Sequence, residues 1–416
     1  MKPAPSDGEK PAASGLKAIP RSIWALGLVS LFMDTSSELI HSLLPVFLVT
    51  VLGASVFSVG LIEGISEATA SITKIFSGTL SDYLGKRKLL TVIGYGLAAV
   101  TKPLFPLAGS VGWIFTARFI DRIGKGIRGA PRDALIGDIA PPHLRGACYG
   151  LRQSLDTVGA FAGPLLAIAF MFLLANDIRA VFWIAIIPAF ISVAILIFAV
   201  KEPETARPPG KTEGEGRSPI QFRDLREIGA AYWWLVIVGG VLALARFSEA
   251  FLVLRAENVG LSIALVPLVF VVMNAVYALT AYPAGSLSDR MDRRFILAAG
   301  FAFLMAADVV LAMASGIWMV MAGVFLWGLH MGLTQGLLAA MVADTTPAKI
   351  RGTAFGIFNL VTGLALLAGN LVAGLLWDTY GPSGTFLMGA GITAVALVGL
   401  VTLRGGGHSL SAKDGK

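Results

Sequence analysis

The stretch that decides the fold is Gly78-Thr-Leu-Ser-Asp82-Tyr-Leu-Gly85-Lys86-Arg87-Lys88, which begins again 207 positions later as Gly285-Ser-Leu-Ser-Asp289-Arg-Met-Asp-Arg293-Arg294. Each copy closes one apolar segment. A second pair recurs at nearly the same offset: Asp138-Ile-Ala-Pro-Pro-His-Leu-Arg145-Gly146 and Asp344-Thr-Thr-Pro-Ala-Lys-Ile-Arg351-Gly352. Two markers in the same order and register indicate an internal duplication, and they predict two similar halves in this chain of 416 residues.

The composition predicts an integral membrane protein. Apolar residues make up 56% of the chain and charged residues only 14%, a balance that a soluble domain does not show. A helix needs about twenty residues to cross about 30 Å of hydrocarbon, and windows of this length predict twelve helical segments and no sheet. They lie near 22–52, 57–82, 88–107, 111–138, 144–174, 179–200, 231–254, 263–284, 295–314, 317–343, 353–377 and 383–403.

Lysine and arginine are concentrated in alternate connections between these segments. The cationic connections hold Lys86, Arg87, Lys88, Arg145, the stretch 201–226, Arg290, Arg293, Arg294, Lys349 and Arg351. Because cytoplasmic loops are the ones enriched in cations, we expect both termini to be cytoplasmic. The formal net charge of +7 follows from this topology, so we expect no nucleic-acid partner.

The predicted organisation is two six-helix bundles joined by a polar linker. Its parts are a tail at 1–21, an N-terminal bundle at 22–200, a linker rich in Pro, Gly and charge at 201–230, a C-terminal bundle at 231–404 and a tail at 405–416. The chain has no GxxxxGK[ST] sequence, no HExxH and no nucleophile elbow, which are the marks of P-loop ATPases, metalloproteases and serine hydrolases. We therefore expect no enzyme and no cofactor, and an ion gradient as any energy source.

Together, the twelve segments, the duplication and the motif between segments 2 and 3 resemble the major facilitator superfamily, over the chain from about residue 22 onward. The family's loop motif falls on Gly78, Asp82, Gly85, Lys86 and Arg87, and its second copy on Gly285, Asp289, Arg293 and Arg294, with Asp292 in place of a glycine. The resemblance implies a monomer that moves a small molecule or ion across a bacterial inner membrane, or a membrane derived from it, by alternating access.

The repeated motif also predicts a gate at the cytoplasmic side. Asp82 can face the positive end of a helix dipole, and Arg87 can pair with Asp138. The mirrored set in the second half is Asp289, Arg294 and Asp344. The alternative is that these charges are solvated loop residues that only set the topology.

The fifth segment carries glycine and proline at Gly150, Gly159, Gly163 and Pro164. This spacing is similar to the antiporter motif of proton-coupled exporters, although Ala167 and Ile168 stand where two glycines are usual. Small residues let helices approach closely and proline can bend a helix. Ordinary close packing explains the pattern equally well.

The fourth segment has cations along one helical face, at Arg118, Arg122, Lys125, Arg128 and Arg132, with Asp121 and Asp133 beside them. One unpaired charge at mid-membrane costs about 2.5 to 3.5 kcal/mol on the mildest scale. Several such charges must face water, carboxylates or an anionic solute.

Acidic residues at helical spacing are available to form ion pairs with these cations. They are Asp34 and Glu38 with His41 in the first segment, Glu63 and Glu67 in the second, and Asp156 with Arg152 in the fifth. A carboxylate–histidine strip against a cationic strip suits proton coupling, because protonation of Glu38 or Asp34 would change its salt bridge to the fourth segment. The alternative is internal pairing that only holds the first bundle together.

The second half has far fewer charges in its segments. Arg246 and Glu249 are the best candidates for its cavity wall. The other intramembrane polar residues are Asn274, Tyr277, Asp308, His330, Gln335, Asn359 and Asn370.

The cations of the fourth segment favour a proton-coupled transporter for an anionic metabolite or an anionic metal chelate, such as a siderophore or a ferric complex. One alternative is a multidrug/proton antiporter. Another is an iron transporter with Asp34, Glu38 and His41, helped by Glu63 and Glu67, as metal ligands; the run from Phe32 to His41 is similar to a bacterial subgroup with iron-related members such as the magnetosome-membrane facilitator. A third is a sensor on the same fold.

Overall fold

The computed structural model describes residues 18–84, 86–202, 229–288, 291–346 and 351–402. Its first half contains six long helices: α1 (Arg21–His41), α2 (Val56–Leu84), α3 (Arg87–Thr101), α4 (Val111–Ile139), α5 (Arg145–Leu173) and α6 (Ile178–Ala199). Short turns at Leu44–Val46 and Phe47–Val51 extend α1, and Leu104–Leu107 extends α3. The predicted tails and most of the predicted linker lie outside the described residues.

The second half repeats the arrangement. Its helices are α7a (Ala230–Ala245), α7b (Ala250–Asn258), α8 (Leu268–Ser288), α9 (Arg293–Met313), α10 (Ile317–Asp344), α11 (Arg351–Tyr380) and α12 (Pro382–Thr402). The prediction of twelve membrane-length segments and an all-helical class is confirmed, with one difference. The seventh segment is interrupted at residues 246–249, because the chain leaves the helix at Arg246 (φ −92°, ψ 68°).

Ten of the spans in the described part of the chain are long and apolar enough to cross a membrane on length and composition alone. The two others, α2 and α4, are each 29 residues long and are the helices that carry Glu63, Glu67 and the cationic strip. Charged side chains in a bilayer must face protein or water. The charged faces of α2 and α4 are therefore expected to face the interior of the protein.

The same pairs of helices are in contact in both halves, as the duplication predicts. In the first half α1 packs on α5 and α6, and α4 packs on α2 and α3; in the second half α7a packs on α11 and α12, and α10 packs on α8 and α9. Between the halves α2 packs on α11, and its counterpart α8 packs on α5. Both inter-half contacts join a second helix of one bundle to a fifth helix of the other.

The two ends of the molecule differ in how closely the halves meet. We name the end where α1, α3 and α9 begin the tail side, and the opposite end the far side. At the far side Asp378 accepts hydrogen bonds from the N–H groups of Val56 (3.0 Å) and Phe57 (2.9 Å), and α7b packs on Leu44–Val46. Toward the tail side a Cβ on Gly363 of α11 would still lie 3.3 Å from Ser71 Cβ of α2, but one on Gly356 of α11 or on Gly285 of α8 would meet nothing within 4 Å. Among the described residues the halves thus meet at the far side and separate toward the tail side.

Candidate solute-binding cavity

A cavity of about 440 Å³ lies between the two halves, within the range of small-molecule sites. One wall comes from α1, α2, α4 and α5, and the other from α7a, the break at 246–249, α8, α10 and α11. The charged lining residues are Glu38, His41, Glu63, Glu67, Arg122, Lys125, Arg246 and Glu249. Eight residues singled out in the sequence are therefore brought together at one place.

Ion pairs between α2 and α4 form the inner part of the first wall. Arg118 donates from Nη2 to both carboxylate oxygens of Glu63, at 2.7 and 2.8 Å, and both side chains are buried. Arg122 pairs with Glu67 at 3.1 Å. The spacing of four residues on each helix makes the two pairs consecutive rungs, since i and i+4 lie on one face.

The carboxylates of α1 were expected to pair with the cations of α4, but the structure shows other partners for those cations. Asp34 and Glu38 form no ion pair with α4 among the described residues. The physical reason is packing: α2 lies along α4 over much of its length, whereas α1 touches α4 only briefly. The partners of the cationic strip come from the helix that packs against it.

Asp121 has a partner that sequence analysis did not single out. Lys102, at the end of α3, donates from Nζ to Asp121 Oδ1 at 3.1 Å and to Ser37 Oγ at 3.0 Å. Lys102 is 2% exposed. A lysine at the end of a predicted apolar segment resembles a residue that reaches the interface, and only the position of α3 against α4 shows that this one points inward.

The rest of the α4 strip is divided between contacts and the cavity. The guanidinium of Arg128 lies 4.5 Å from the ring centre of Tyr95, and Arg132 pairs with Asp133 at 3.0 Å. Lys125 is exposed and forms no ion pair among the described residues. Lys125 is therefore the cation of this strip that remains available to a solute.

His41 links two carboxylates at the far end of the first wall. Its Nδ1 lies 3.6 Å from Glu38 Oε2, and its Nε2 lies 3.4 Å from Glu63 Oε2. Glu63 in turn holds Arg118. A proton gained or lost by this imidazole changes the charge between two acids and next to an arginine.

Asp34, Arg152 and Asp156 lie outside the main cavity. Asp34 borders a deeper cavity of about 20 Å³ with Arg118, Asp121 and Arg128, and its carboxyl group lies near that of Asp156. Arg152 pairs with Asp156 at 2.8 Å. Two neighbouring carboxyl groups repel each other when both are ionised, so such a pair favours holding one proton.

The second wall is built on the break in the seventh span. Residues 246–249 leave the helix, and the free N–H of Ser248 donates to Asn370 Oδ1 at 2.8 Å. Arg246 pairs with Glu249 at 3.4 Å. When the side-chain amide of Gln335 is oriented with its oxygen toward Arg246, this oxygen accepts two hydrogen bonds from the guanidinium, at 2.7 and 3.1 Å. Interrupted helices at mid-membrane are a recurrent way to place polar groups at a transport site.

The charged residues of the predicted gate are only partly described. Arg87 pairs with Asp138 at 2.6 Å as predicted. In the second half, Asp344 accepts from Arg293, so its partner is the residue next to the predicted Arg294. The side chain of Asp82, together with Gly85 and Asp289, lies outside the described residues.

The glycines of the predicted gate differ in their surroundings. Gly78 faces Ala130 of α4, whereas a Cβ on Gly285 would have nothing within 4 Å. The first copy therefore packs against a neighbouring helix, and the second does not.

The α5 motif packs against α1. A Cβ on Gly159 would overlap the carbonyl oxygen of Leu31, and one on Gly163 would lie 2.8 Å from Glu38 Cβ, whereas Gly150 faces open space. Pro164 lies inside α5 and is buried. Two of the three glycines thus serve close helix packing, behind the helix that carries Glu38 and His41.

The predicted metal ligands do not assemble. In the described part of the chain no group of three or more His, Cys, Asp or Glu side chains is arranged to hold a metal ion. Both oxygens of Glu63 are engaged by Arg118. The residues Asp34, Glu38 and His41 form no such group among the described residues.

Comparison with known proteins places this geometry in a family. The sequence model described as Major Facilitator Superfamily matches residues 26–255 and 235–414. The uncharacterized MFS-type transporter MJ1317 of Methanocaldococcus jannaschii is 30% identical over 400 residues, 91% of this chain and 94% of that protein. The quinolone resistance protein NorA of Staphylococcus aureus is 23% identical over 372 residues, 86% of this chain and 91% of NorA.

Among solved structures, a mutant of the nucleoside transporter NupG superposes with a TM-score of 0.77 at 12% identity. The superposition covers 92% of this chain and 100% of that one, and it shows a shared fold. Since the sequence matches span both halves and both walls of the cavity, this chain belongs to the Major Facilitator Superfamily and is a multi-pass secondary transporter, not an enzyme.

Proposed function

We propose that this transporter moves a small anionic solute, an anionic metabolite or an anionic metal chelate, in exchange or together with protons. The observation that carries the proposal is Lys125. It is exposed in the cavity without an ion-pair partner among the described residues, and the opposite wall presents Arg246, which a solute reaches by replacing Glu249, its partner at 3.4 Å. A solute with a carboxylate or phosphate group can bridge the two cations, and so the two halves.

The neighbouring ion pairs support selectivity for charge. Arg118 and Arg122 are neutralised by Glu63 and Glu67, so they set the shape of the wall and do not by themselves attract an anion. On the first wall, Lys125 is therefore the cation that can attract an anionic solute. A lipophilic cation would be repelled by Lys125, because no acid in the described part of the chain forms an ion pair with it.

Proton coupling is supported by the acids near the same wall. Glu38 and Glu63 flank His41, and Asp34 and Asp156 lie near each other behind it. Each cluster can gain or lose one proton without leaving a new unpaired charge in the membrane. The proton is therefore the coupling ion that these groups can hold.

The state of the molecule follows from its topology. By the distribution of lysine and arginine the tail side faces the cytoplasm, so the cavity is open inward and closed outward, in a bacterial inner membrane or one derived from it. Both walls come from one chain, and a monomer is the expected working unit.

The test is uptake into proteoliposomes with an imposed pH gradient. Citrate, ferric citrate, sugar phosphates, ferrous iron and lipophilic drug cations are compared side by side. We expect one or more anions to accumulate, and other anions, but not cations, to compete. Transport of drug cations alone would support the multidrug alternative, and transport of ferrous iron alone the metal-ion alternative; either result contradicts the proposal.

A further inference from the structure

One buried carboxyl group of the second half, that of Asp308, belongs to none of the ion pairs and hydrogen bonds of the cavity walls. Asp308 of α9 is 0% exposed, and neither of its oxygens has a hydrogen-bond partner among the described residues. An ionised carboxylate in such a place is strongly unfavourable, because neither water nor a donor compensates its charge. A protonated carboxyl group carries no such charge.

Within the described part of the chain, the helices that pack against α9 place no cation in an ion pair with Asp308. On the adjoining helix α10, His330 is buried, and its Nδ1 is hydrogen-bonded to Gly300 O at 2.9 Å, two turns before Asp308 on α9. On α12, Gly389 faces the carboxyl group.

Two arginines lie in the neighbourhood, and both are engaged elsewhere. Arg255 of α7b donates to the carbonyl groups of Leu311 and Ala314 at the end of α9 and to Asn258 Oδ1. Arg246 faces Glu249 and Gln335 across the cavity wall. Among the described residues, neither forms an ion pair with Asp308.

Asp308 is connected to the cavity through Phe247. A Cβ built on Gly389 would lie 2.6 Å from Asp308 Oδ2 and 3.0 Å from Phe247 Cε1, so the carboxyl group and the ring edge share that space. Phe247 belongs to the break at 246–249 and lines the cavity beside Arg246. A movement of this non-helical segment would therefore move a ring whose edge lies beside the acid.

We propose that Asp308 is a proton-binding site of the second half, loaded in the inward-open state and exposed for exchange when the break at 246–249 moves. The role of Asp308 in coupling rests on the proposed function, proton-coupled transport of an anion. Its position five residues before the far-side end of α9, about 8 Å along the helix, brings it within reach of water when the far side opens.

The experiment is infrared difference spectroscopy of the purified, reconstituted protein, and it needs no solute. The spectrum of Asp308→Asn is subtracted from that of the wild type, and the carbonyl stretch of a protonated carboxyl group is measured against bulk pH. Asn has nearly the shape of the neutral acid, so this variant is expected to fold, which its unfolding temperature checks.

We expect the wild-type band to be lost in Asp308→Asn and to be insensitive to bulk pH while the far side is closed. In a background that shifts the protein toward the form with the far side open, Gly60→Val or, if that variant is unstable, Asp378→Ala, the same band should lose intensity as the pH is raised, in proportion to the open fraction that labelling measures. Labelling of a far-side cysteine verifies the opening.

Two results would overturn the inference. If Asp308→Asn removes no carbonyl intensity, the acid is ionised. If the band persists at high pH with the far side open, the proton is permanent and Asp308 is only structural. A protein that shows the expected band changes but moves no anion would refute the proposed solute and leave the proton site intact.

Discussion

Asp378 accepts a hydrogen bond from the N–H of Val56 at 3.0 Å and so joins the end of α11 to the beginning of α2. Its second oxygen accepts from Phe57 at 2.9 Å. A carboxylate at a helix N-terminus satisfies free N–H groups and opposes the helix dipole. Because α2 and α11 belong to different halves, this cap holds the far side closed.

Removal of this cap should open the far side. Loss of a helix cap costs about 1 kcal/mol, so Asp378→Ala should shift the equilibrium by about fivefold toward the outward-open form. The measurement is the rate of labelling of a cysteine placed near Phe57. Asp177→Ala is the matched control, since Asp177 caps α6 on the same side within one half; an equal change in both variants would contradict the latch.

Close packing of glycines should be needed for the same closure. A Cβ on Gly60 would overlap the carbonyl oxygen of Asn370, and backbone cannot yield as a side chain does. Gly60→Val should therefore slow transport and raise far-side labelling, while its unfolding temperature changes less. The control is Gly96→Val, at a position where an added Cβ would meet nothing within 4 Å. Normal transport by Gly60→Val would show that the far side need not close this tightly.

The Arg118–Glu63 pair should dominate the stability of the first bundle. Breaking one partner of a buried pair costs about 3 to 5 kcal/mol, so Glu63→Gln should lower the unfolding temperature in detergent markedly. Asp133→Asn removes a partner of Arg132 that is 45% exposed and should have little effect. Similar losses in the two variants would mean that burial of the first pair does not matter.

The α5 motif should behave as a packing surface against α1. An added methyl in a tight contact costs about 1 to 3 kcal/mol, so Gly163→Ala should destabilise the protein, and Gly150→Ala, which faces open space, should not. Thermal unfolding compares the two. A transport defect in Gly150→Ala at unchanged stability would instead favour a direct role of the motif in exchange.

Repetition and hydropathy were sufficient to predict the fold. The two copies of the loop motif and the apolar windows fixed twelve spans and two halves, because both depend on local composition. The break at Arg246 to Glu249 was missed, since those four residues interrupt an apolar run too briefly to change a twenty-residue window. Its only signal was two charges in one apolar segment.

The site was predictable in its membership and not in its pairing. Glu38, His41, Lys125 and Arg246 line one cavity as expected, because charge in a membrane must collect in the interior. Which acid pairs with which cation depends on helix packing, because α2, and not α1, lies along α4. Lys102 and Asp378 lie at helix ends, where a charge normally marks only an interface, and no pattern distinguished them.

The most direct test of the account is anion uptake by Lys125→Gln in proteoliposomes with an imposed pH gradient, beside Lys201→Gln. Lys201 is exposed at the end of α6 and outside the cavity. Loss of a charge-assisted hydrogen bond to the solute costs about 1.5 to 3 kcal/mol. Lys125→Gln should therefore lower anion affinity by at least about tenfold while Lys201→Gln transports normally; unchanged anion affinity in Lys125→Gln would contradict the central claim.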